Sequence, residues 1–374
     1  MVALTQAQIA AAPMRIGAAA IAGWSTYLLG LARRGGTPFT VAADMTRFCL
    51  ALTTSAPPAW AHPWPVVAQW PLAKLRDCGD PSATDRETVP TLLLPPQAGT
   101  HSCIVDHSPG RSQVEALRAG GLTRLHCLEW APGSPETDGC SIDEHLAVVH
   151  DAVAHLGGRV NLIGDSQGGW LGTIYAALHP EAVHTLTVAG APIDFHIEQP
   201  ALATLAQTHT GAAASLVDLW YDAARAAGLQ TTDPIGEIER AMTLLAKIHD
   251  PDEVTRIEAE RRWFAWKQEI PAAFLDWIMR KLFVGNELVE GTLVVQDGPV
   301  DLGAIHCPLH LIAGSSDILA APAQVLALAE RVGTAPSSIT TTVIDAGHIG
   351  LFIGRAALTE VWTPHARLLA AASR

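Results

Sequence analysis

The sequence predicts an α/β fold, in which a mostly parallel sheet is flanked by helices and carries a helical cap insertion and a helical N-terminal extension. From Val89 onward, short apolar runs alternate with helical segments; the alternation stops near Asp194 and resumes after Gly285. Strands that alternate with helices are typical of parallel βαβ units. Parallel strands are covered on both faces, which explains why these runs are almost wholly apolar.

The composition supports a large folded core. Hydrophobic residues make up 49% of the 374 residues and charged residues 16%, which excludes a disordered chain. Lys and Arg number 24 and Asp and Glu 37, so the net charge is −13, and basic runs are absent. This balance argues against a nucleic-acid partner. The six cysteines are scattered without a CxxC pair and are interpreted as reduced thiols, with a disulfide pair left open.

Residues 1–88 are predicted to be helices broken by prolines, with a polar linker at residues 77–88. Within them, Ile16 to Ala32 carry no charge but include three glycines. A membrane-spanning helix needs roughly 20 strongly apolar residues, so we interpret this run as a packing helix. Attachment to a membrane surface and a targeting segment stay open as alternatives.

Residues 89–194 and 286–374 are predicted to form the two parts of the sheet core. Strands are expected where apolar runs are closed by turn residues, at 91–94, 125–128, 160–163, 185–189, 309–312 and 341–344. Helices are expected at 112–119, 142–156 and 167–178. Residues 195–285 are predicted to be a helical insertion between strands, in the position of a cap over an active site.

The strongest local motif is Gly164-Asp165-Ser166-Gln167-Gly168-Gly169, which follows an apolar strand and begins a helix. G-x-S-x-G in that setting is the nucleophile elbow of the α/β-hydrolase fold. The serine occupies a sharp, strained turn, so the flanking glycines must lack a Cβ. The first turn of the helix directs N–H groups toward developing negative charge. The alternative is an ordinary glycine-rich turn between strand and helix.

A nucleophilic serine needs a base and an acid that orients the base. The α/β-hydrolase chain order is Ser, then Asp or Glu, then His. Asp317 and His348 follow the predicted strands at 309–312 and 341–344, where loops of α/β active sites gather. We therefore predict Ser166, Asp317 and His348 as the catalytic residues. A turn aspartate and a surface-loop histidine are the alternatives.

The oxyanion hole needs two backbone N–H groups. One is predicted from Gln167, and the other from Gln97 or Ala98 in the loop after the strand at 91–94, unless that loop is merely a tight turn. Substrate-binding candidates are the apolar side chains Trp170, Trp263, Trp266 and Ile349. For the tryptophans of the insertion, packing inside the cap is an equally good interpretation.

Motifs for metals and phosphates are missing from the sequence. There is no HExxH motif and no glycine-rich loop of phosphate-binding spacing, and His101 and His107 lack partner ligands of the usual spacing. We therefore expect neither a metal nor a cofactor.

At these residues the chain resembles the polyhydroxyalkanoate synthases and the related intracellular polyhydroxyalkanoate depolymerases, over about residues 90 to 360. The synthase box is G-x-C-x-G-G, with Gln in the short class III type at the position of Gln167. The other matching segments share the family's local patterns and are Ser108-Pro109-Gly110-Arg111-Ser112, Leu128-Glu129-Trp130, Leu282-Phe283, Asn286-Glu287-Leu288, Gly291, Val300-Asp301-Leu302, Ile305, Pro308, Asp317 and Gly347-His348.

The resemblance implies a polyester or hydroxyacyl ester substrate and a cytoplasmic protein, with association to a polymer granule and homo-oligomerisation left open. Synthases use a cysteine nucleophile, whereas this chain has Ser166. A serine acyl-enzyme is an oxygen ester suited to hydrolysis, while a thiolate suits thioester exchange. We therefore expect a serine-dependent esterase of the depolymerase type. An acyltransferase that uses hydroxyacyl-CoA and a non-catalytic granule protein are the alternatives.

Overall fold

The computed structural model describes residues 6–53, 56–82, 87–198, 234–295 and 298–373. The chain divides into two compact units. The helical unit comprises residues within 1–59 and 224–266, and the sheet unit comprises residues within 60–223 and 267–374.

The strands and helices are numbered in chain order. The strands are β1 Val66–Gln69, β2 Ala73–Asp77, β3 Thr91–Leu94, β4 Asp106–Ser108, β5 Arg111–Ser112, β6 Leu125–Trp130, β7 Val160–Asp165, β8 Val183–Ala189, β9 Val294–Val295, β10 Gly298–Pro299, β11 Leu309–Gly314 and β12 Ile339–Ile344. The α-helices are α1 Gln6–Arg33, α2 Pro38–Thr53, α3 Gln113–Ala119, α4 Ile142–His155, α5 Gln167–Leu178, α6 Pro234–Lys247, α7 Pro251–Ala265, α8 Ala272–Trp277, α9 Glu287–Glu290, α10 Pro322–Leu326, α11 Gly350–Ile353 and α12 Thr363–Ala372. Two π-helical stretches span Ile278–Val284 and Ala357–Trp362. The 3₁₀ turns are Ser102–Val105, Pro180–Ala182, Leu302–Ala304, Ala327–Glu330 and Pro336–Ser338.

The sheet has eight strands in the order β1-β2-β6-β3-β7-β8-β11-β12. The six strands from β6 to β12 pair in parallel, and β2 pairs antiparallel with both β1 and β6. β3 and β7 lie in the interior of the sheet and are buried at every position. This mostly parallel arrangement, with helices between its strands, confirms the predicted fold class.

The structure differs from the helical expectation for residues 1–88 over the stretch that forms β1 and β2. Leu72, Ala73 and Leu75 are buried there, and Lys74 lies opposite Glu129 in the register between β2 and β6. The prolines around this hairpin suggested broken helices. The strand pairing that stabilises it depends on β6, which lies about 50 residues further along the chain.

The helical unit joins segments that the sequence assigned to two separate regions. Helix α1 of the N-terminal region packs on α6 of the insertion, where Gly23 approaches the backbone of Met242 so closely that an added Cβ would lie 2.8 Å from its carbonyl oxygen. Arg15 forms an ion pair with Glu239 at 2.8 Å. Tyr27 is buried in the same hydrophobic cluster as residues of α6. The N-terminal helices thus share one core with part of the insertion.

The predicted insertion, residues 195–285, is itself divided between the two units. Helices α6 and α7 belong to the helical unit, whereas α8 and the π-helix after it belong to the sheet unit. Residues 199–233 lie outside the described part of the chain. Among the described helices, none is both long enough and apolar enough to cross a membrane.

Candidate active site

Ser166 lies on the turn between β7 and α5 with φ 52° and ψ −119°, a backbone conformation that costs energy for any residue with a side chain. Its N–H donates to the carbonyl of Ala189 on β8 at 2.7 Å, which holds the turn against the sheet. A Cβ on Gly164 would lie 2.3 Å from the carbonyl oxygen of Gly168, so the turn has no room for a side chain there. The strained serine and the crowded glycine together have the geometry of a nucleophile elbow.

Gly168 gives the sharpest steric test of this turn. An added Cβ would lie 2.0 Å from the backbone carbonyl oxygen of Leu94, so Gly168→Ala must displace β3 or α5. We expect it to lower the unfolding free energy by about 1–3 kcal/mol, the range typical of overpacking, and to slow labelling of Ser166 by an organophosphonate. Thermal melting and labelling rates would measure the two effects. Gly139→Ala is the matched control because its Cβ would meet no atom within 4 Å, and equal effects of the two changes would contradict the prediction.

The structure brings Ser166, His348 and Asp317 into one hydrogen-bonded chain. His348 Nε2 lies 2.9 Å from Ser166 Oγ, and His348 Nδ1 lies 2.7 Å from Asp317 Oδ2. The other carboxylate oxygen of Asp317 accepts from the backbone N–H groups of Leu319 at 2.8 Å and Ala320 at 3.0 Å. These two bonds fix the carboxylate, and they hold Oδ2 in position to accept from the imidazole.

Three different strands deliver these side chains to the same edge of the sheet. Ser166 follows β7, Asp317 follows β11, and His348 follows β12, all at the carboxyl ends of parallel strands. The Asp317 side chain has no solvent-exposed surface and the His348 side chain retains 9%. The ring of His348 packs edge-on against Phe352 at 5.5 Å between centroids. The aspartate and most of the imidazole are therefore shielded from water, while a small part of the imidazole surface stays open to solvent.

The predicted oxyanion loop lies against the residue that follows the nucleophile. The backbone N–H of Gln97 donates to the side-chain oxygen of Gln167 at 3.1 Å. Gln167 begins helix α5, whose first-turn N–H groups have no partner within the helix. In this conformation the N–H of Gln97 is directed at Gln167, so its predicted donor role requires that side chain to move. Ala98, the other predicted donor, is the next residue of the loop and is half-buried.

The side chain of Gln97 anchors this loop inside the protein through contacts with Ala131 and His145. Gln97 Nε2 donates to the carbonyl of Ala131 at 3.0 Å, and Gln97 Oε1 lies 2.9 Å from His145 Nε2. His145 is stacked on Phe274 with 3.6 Å between ring centroids. Burial lowers the pKa of His145 to about 4, so its ring is neutral at neutral pH. A lone histidine on helix α4 belongs to no motif, so the sequence carried no signal for this contact.

The four predicted substrate-binding side chains are divided between the two units. Trp170 is buried in the core of the sheet unit, where its ring lies 6.1 Å from Phe274. Ile349 follows His348 and is half-buried. Trp263 and Trp266 belong to the helical unit. Trp263 is 2% exposed, which fits the packing interpretation, while Trp266 is half-buried.

Comparison with known proteins places the chain in a family. The model of the α/β hydrolase fold family matches residues 123–354, and the chain therefore belongs to the α/β-hydrolase family. The chain is also similar to poly(3-hydroxyalkanoate) polymerase subunits, which confirms the synthase part of the resemblance stated above.

Two relatives illustrate that similarity. The poly(3-hydroxyalkanoate) polymerase subunit PhaC of Allochromatium vinosum is 23% identical over 295 residues, covering 75% of this chain and 80% of the relative. The subunit of the same name from Synechocystis is 26% identical over 268 residues, covering 67% and 69%. Among solved structures, the enol-lactonase from Burkholderia xenovorans LB400 shares 17% identity with a TM-score of 0.46, covering 80% of this chain and 96% of that one. The family and the polymerase relatives support an enzyme of the esterase or acyltransferase type.

Proposed function

We propose that the protein is a serine-dependent ester hydrolase that cleaves polyhydroxyalkanoate polyester or its oligomers through an acyl-enzyme. The observation that carries this proposal is the chain from Ser166 Oγ through His348 to Asp317, with bonds of 2.9 and 2.7 Å. These distances are within hydrogen-bond reach for a nucleophile, its base and the group that orients the base. The polyester substrate is inferred from the similarity to the PhaC subunits.

In the first half-reaction, Ser166 Oγ attacks the ester carbonyl while His348 Nε2 takes the serine proton. Asp317 accepts the hydrogen bond from His348 Nδ1–H, so it holds the tautomer in which Nε2 can receive that proton. The negative charge on the former carbonyl oxygen is stabilised by the N–H of Gln167 and a second N–H from Gln97 or Ala98. The alcohol leaves with the proton from His348, and Ser166 is left as an oxygen ester.

In the second half-reaction, water replaces the alcohol. His348 Nε2 takes a proton from water, whose oxygen attacks the acyl-enzyme, and the acid product leaves as the proton returns to Ser166 Oγ. Release of the serine oxygen from the acyl group requires a proton, because an alkoxide is a poor leaving group. His348 Nε2 lies within hydrogen-bond distance of Ser166 Oγ, at 2.9 Å, and can supply that proton.

The substrate assignment is tested by product analysis. Wild-type protein and Ser166→Ala would be incubated with 3-hydroxybutyrate oligomers, and the products identified by mass spectrometry. We expect the wild type, and not the variant, to release shorter hydroxy acids. If folded wild-type protein leaves the oligomers intact but still hydrolyses simple esters, the polyester assignment is wrong and the esterase assignment stands.

A second candidate function is acyl transfer from hydroxyacyl-CoA, which the polymerase relatives favour. It predicts release of free CoA together with growth of a hydroxyacyl chain. The same incubations, with hydroxyacyl-CoA added, would measure the thiol released and the chain length of the acyl products. Chain growth would support this candidate over hydrolysis, and shortening of oligomers without CoA turnover would remove it.

A further inference from the structure

A carboxyl group lies behind the nucleophile and plays no part in the hydrogen-bonded chain of Ser166, His348 and Asp317. Asp165 is the last residue of β7, directly before Ser166, and has no exposed surface. Its Oδ1 accepts from the side-chain Nε2 of Gln113 at 3.2 Å. Gln113 is the first residue of α3 and is likewise fully buried. The two side chains thus meet in the interior, away from solvent.

Two oxygen atoms of this pair lack a hydrogen bond. Asp165 Oδ2 and Gln113 Oε1 are both buried, and neither has a partner among the described residues. If Asp165 were ionised, both atoms would be acceptors with nothing to accept. A buried unsatisfied polar atom costs about 1–3 kcal/mol, and more when it carries charge.

The surroundings supply no positive charge to compensate an ionised Asp165. Within the described ranges, no Lys, Arg or His forms an ion pair with it. The charged or titratable groups on the elements packed against β7 and on α3 are hydrogen-bonded or stacked elsewhere: Tyr175 on α5 with His150, His184 on β8 with Ala372, Asp106 on β4 and Glu115 on α3 with His62, Arg118 on α3 with Trp64, and His348 after β12 with Asp317 and Ser166. Burial raises the pKa of the Cys127 thiol, and burial also raises the pKa of Asp165 to about 8.

We propose that Asp165 is held as a neutral carboxylic acid whose Oδ2–H donates to Gln113 Oε1, so that acid and amide form a two-bond pair behind the nucleophile. A single proton then satisfies both of the unpaired oxygens. The hydrogen bond from Gln113 Nε2 to Asp165 Oδ1 is present in the structure. A second hydrogen bond, from Asp165 Oδ2–H to Gln113 Oε1, completes a hydrogen-bonded ring between the acid and the amide. Asp165 thus lies outside the hydrogen-bonded chain of Ser166, His348 and Asp317, and it acts on the reaction through its charge.

The charge state of Asp165 is expected to affect the reaction at Ser166, an inference that rests on the proposed function. The reaction builds negative charge on the oxygen of the attacked carbonyl, which the N–H groups at the start of α5 stabilise. A carboxylate on the residue before Ser166 would oppose that charge in a water-poor interior. A neutral acid fills the same space without opposing it. Activity should therefore fall as Asp165 loses its proton.

Asp165→Asn is the informative variant because its amide can replace both hydrogen bonds of the neutral acid and cannot ionise. For each protein, kcat/KM for p-nitrophenyl butyrate would be measured at about pH 6.5 and about pH 9, on either side of the raised pKa. We expect the wild-type value to drop about tenfold between the two, as the neutral fraction of the acid falls, and the Asp165→Asn value to stay nearly level. Asp151→Asn, an exposed carboxylate on α4, is the control with the same change in net charge and should keep the wild-type ratio.

Melting temperature gives a readout that does not depend on the proposed activity. Folding raises the pKa of Asp165 from 3.8 to about 8, so the stability contributed by the neutral acid is complete below the lower value and lost as the pH rises through the higher one. Asp165→Asn should therefore gain melting temperature relative to the wild type as the pH rises from about 5 to about 8.5. The infrared band of a protonated carboxylic acid should be present in the wild type at neutral pH and absent in the variant.

Two results would overturn the proposal. One is a melting-temperature difference between Asp165→Asn and wild type that does not change with pH, together with no loss of a protonated-acid band. The other is an alkaline fall in kcat/KM that is the same in both proteins. If no ester is turned over by either protein, the proposed function fails while the melting and infrared measurements still decide the state of Asp165.

Discussion

Ser166→Ala is expected to reduce kcat for ester hydrolysis by about 10⁴-fold or more, because it removes the atom that forms the acyl-enzyme. The hydroxyl lies 2.9 Å from His348 Nε2, and no other described oxygen is bonded to that nitrogen. Alanine fits the space without adding atoms, so the fold should be unchanged. The loss should appear in kcat, measured with a soluble chromogenic ester, with melting temperature as the check on folding.

Ser316→Ala is the matched control for that experiment. Ser316 is exposed on the loop that carries Asp317, and its hydroxyl bonds to Asp345 rather than to His348. It should retain activity and should still allow an organophosphonate to label the protein, whereas Ser166→Ala should not be labelled. Near-normal turnover by folded Ser166→Ala would show that a different nucleophile carries the reaction.

Asp317→Asn is expected to lower kcat by roughly 10⁴-fold at neutral pH, the magnitude known for loss of the acid in such a triad. The aspartate accepts from His348 Nδ1 at 2.7 Å while two backbone N–H groups hold its other oxygen. An asparagine whose oxygen keeps those backbone bonds turns its NH₂ group toward Nδ1. The imidazole would then carry its proton on Nε2, where it cannot accept the proton of Ser166.

Asp345→Asn separates this effect from a general change in charge. Asp345 is exposed, lies three residues before His348, and accepts from the hydroxyls of Ser315 and Ser316. Both variants lose one negative charge, but only Asp317→Asn changes the hydrogen bond to the imidazole. Steady-state kinetics on the two proteins would compare them, and a similar fall in both would refute the role assigned to Asp317.

The three residues of the hydrogen-bonded chain could be predicted because each has a local signature. Ser166 lies in a glycine-flanked motif between strand and helix, and Asp317 and His348 follow apolar strands in the order that the fold requires. Parallel topology then forces those strand ends to one edge of the sheet. Local pattern and global arrangement therefore agree, and the structure brings the three side chains within hydrogen-bond distance.

The features that the sequence did not predict depend on contacts between distant residues. β2 is stabilised by pairing with β6, and the surrounding prolines hid it. His145 contacts Gln97 across 48 residues of sequence and Gln113 contacts Asp165 across 52, and neither pair belongs to a motif. Long-range hydrogen bonds between buried polar side chains leave no periodic trace in the sequence. The division of the insertion between two units likewise follows from the packing of α1 on α6.

Because β12 lies at the edge of the sheet, the position of His348 is expected to be less stable than the position of Ser166. Ser166 is anchored to β7, which has neighbours on both sides, whereas His348 follows β12, which in the described sheet pairs with β11 alone. Half of the residues of β12 are exposed. Sheet margins open locally at far lower free energy than interior strands. The native ensemble should therefore include molecules whose elbow is intact but whose imidazole is displaced, so that competence for catalysis is lost before the fold is.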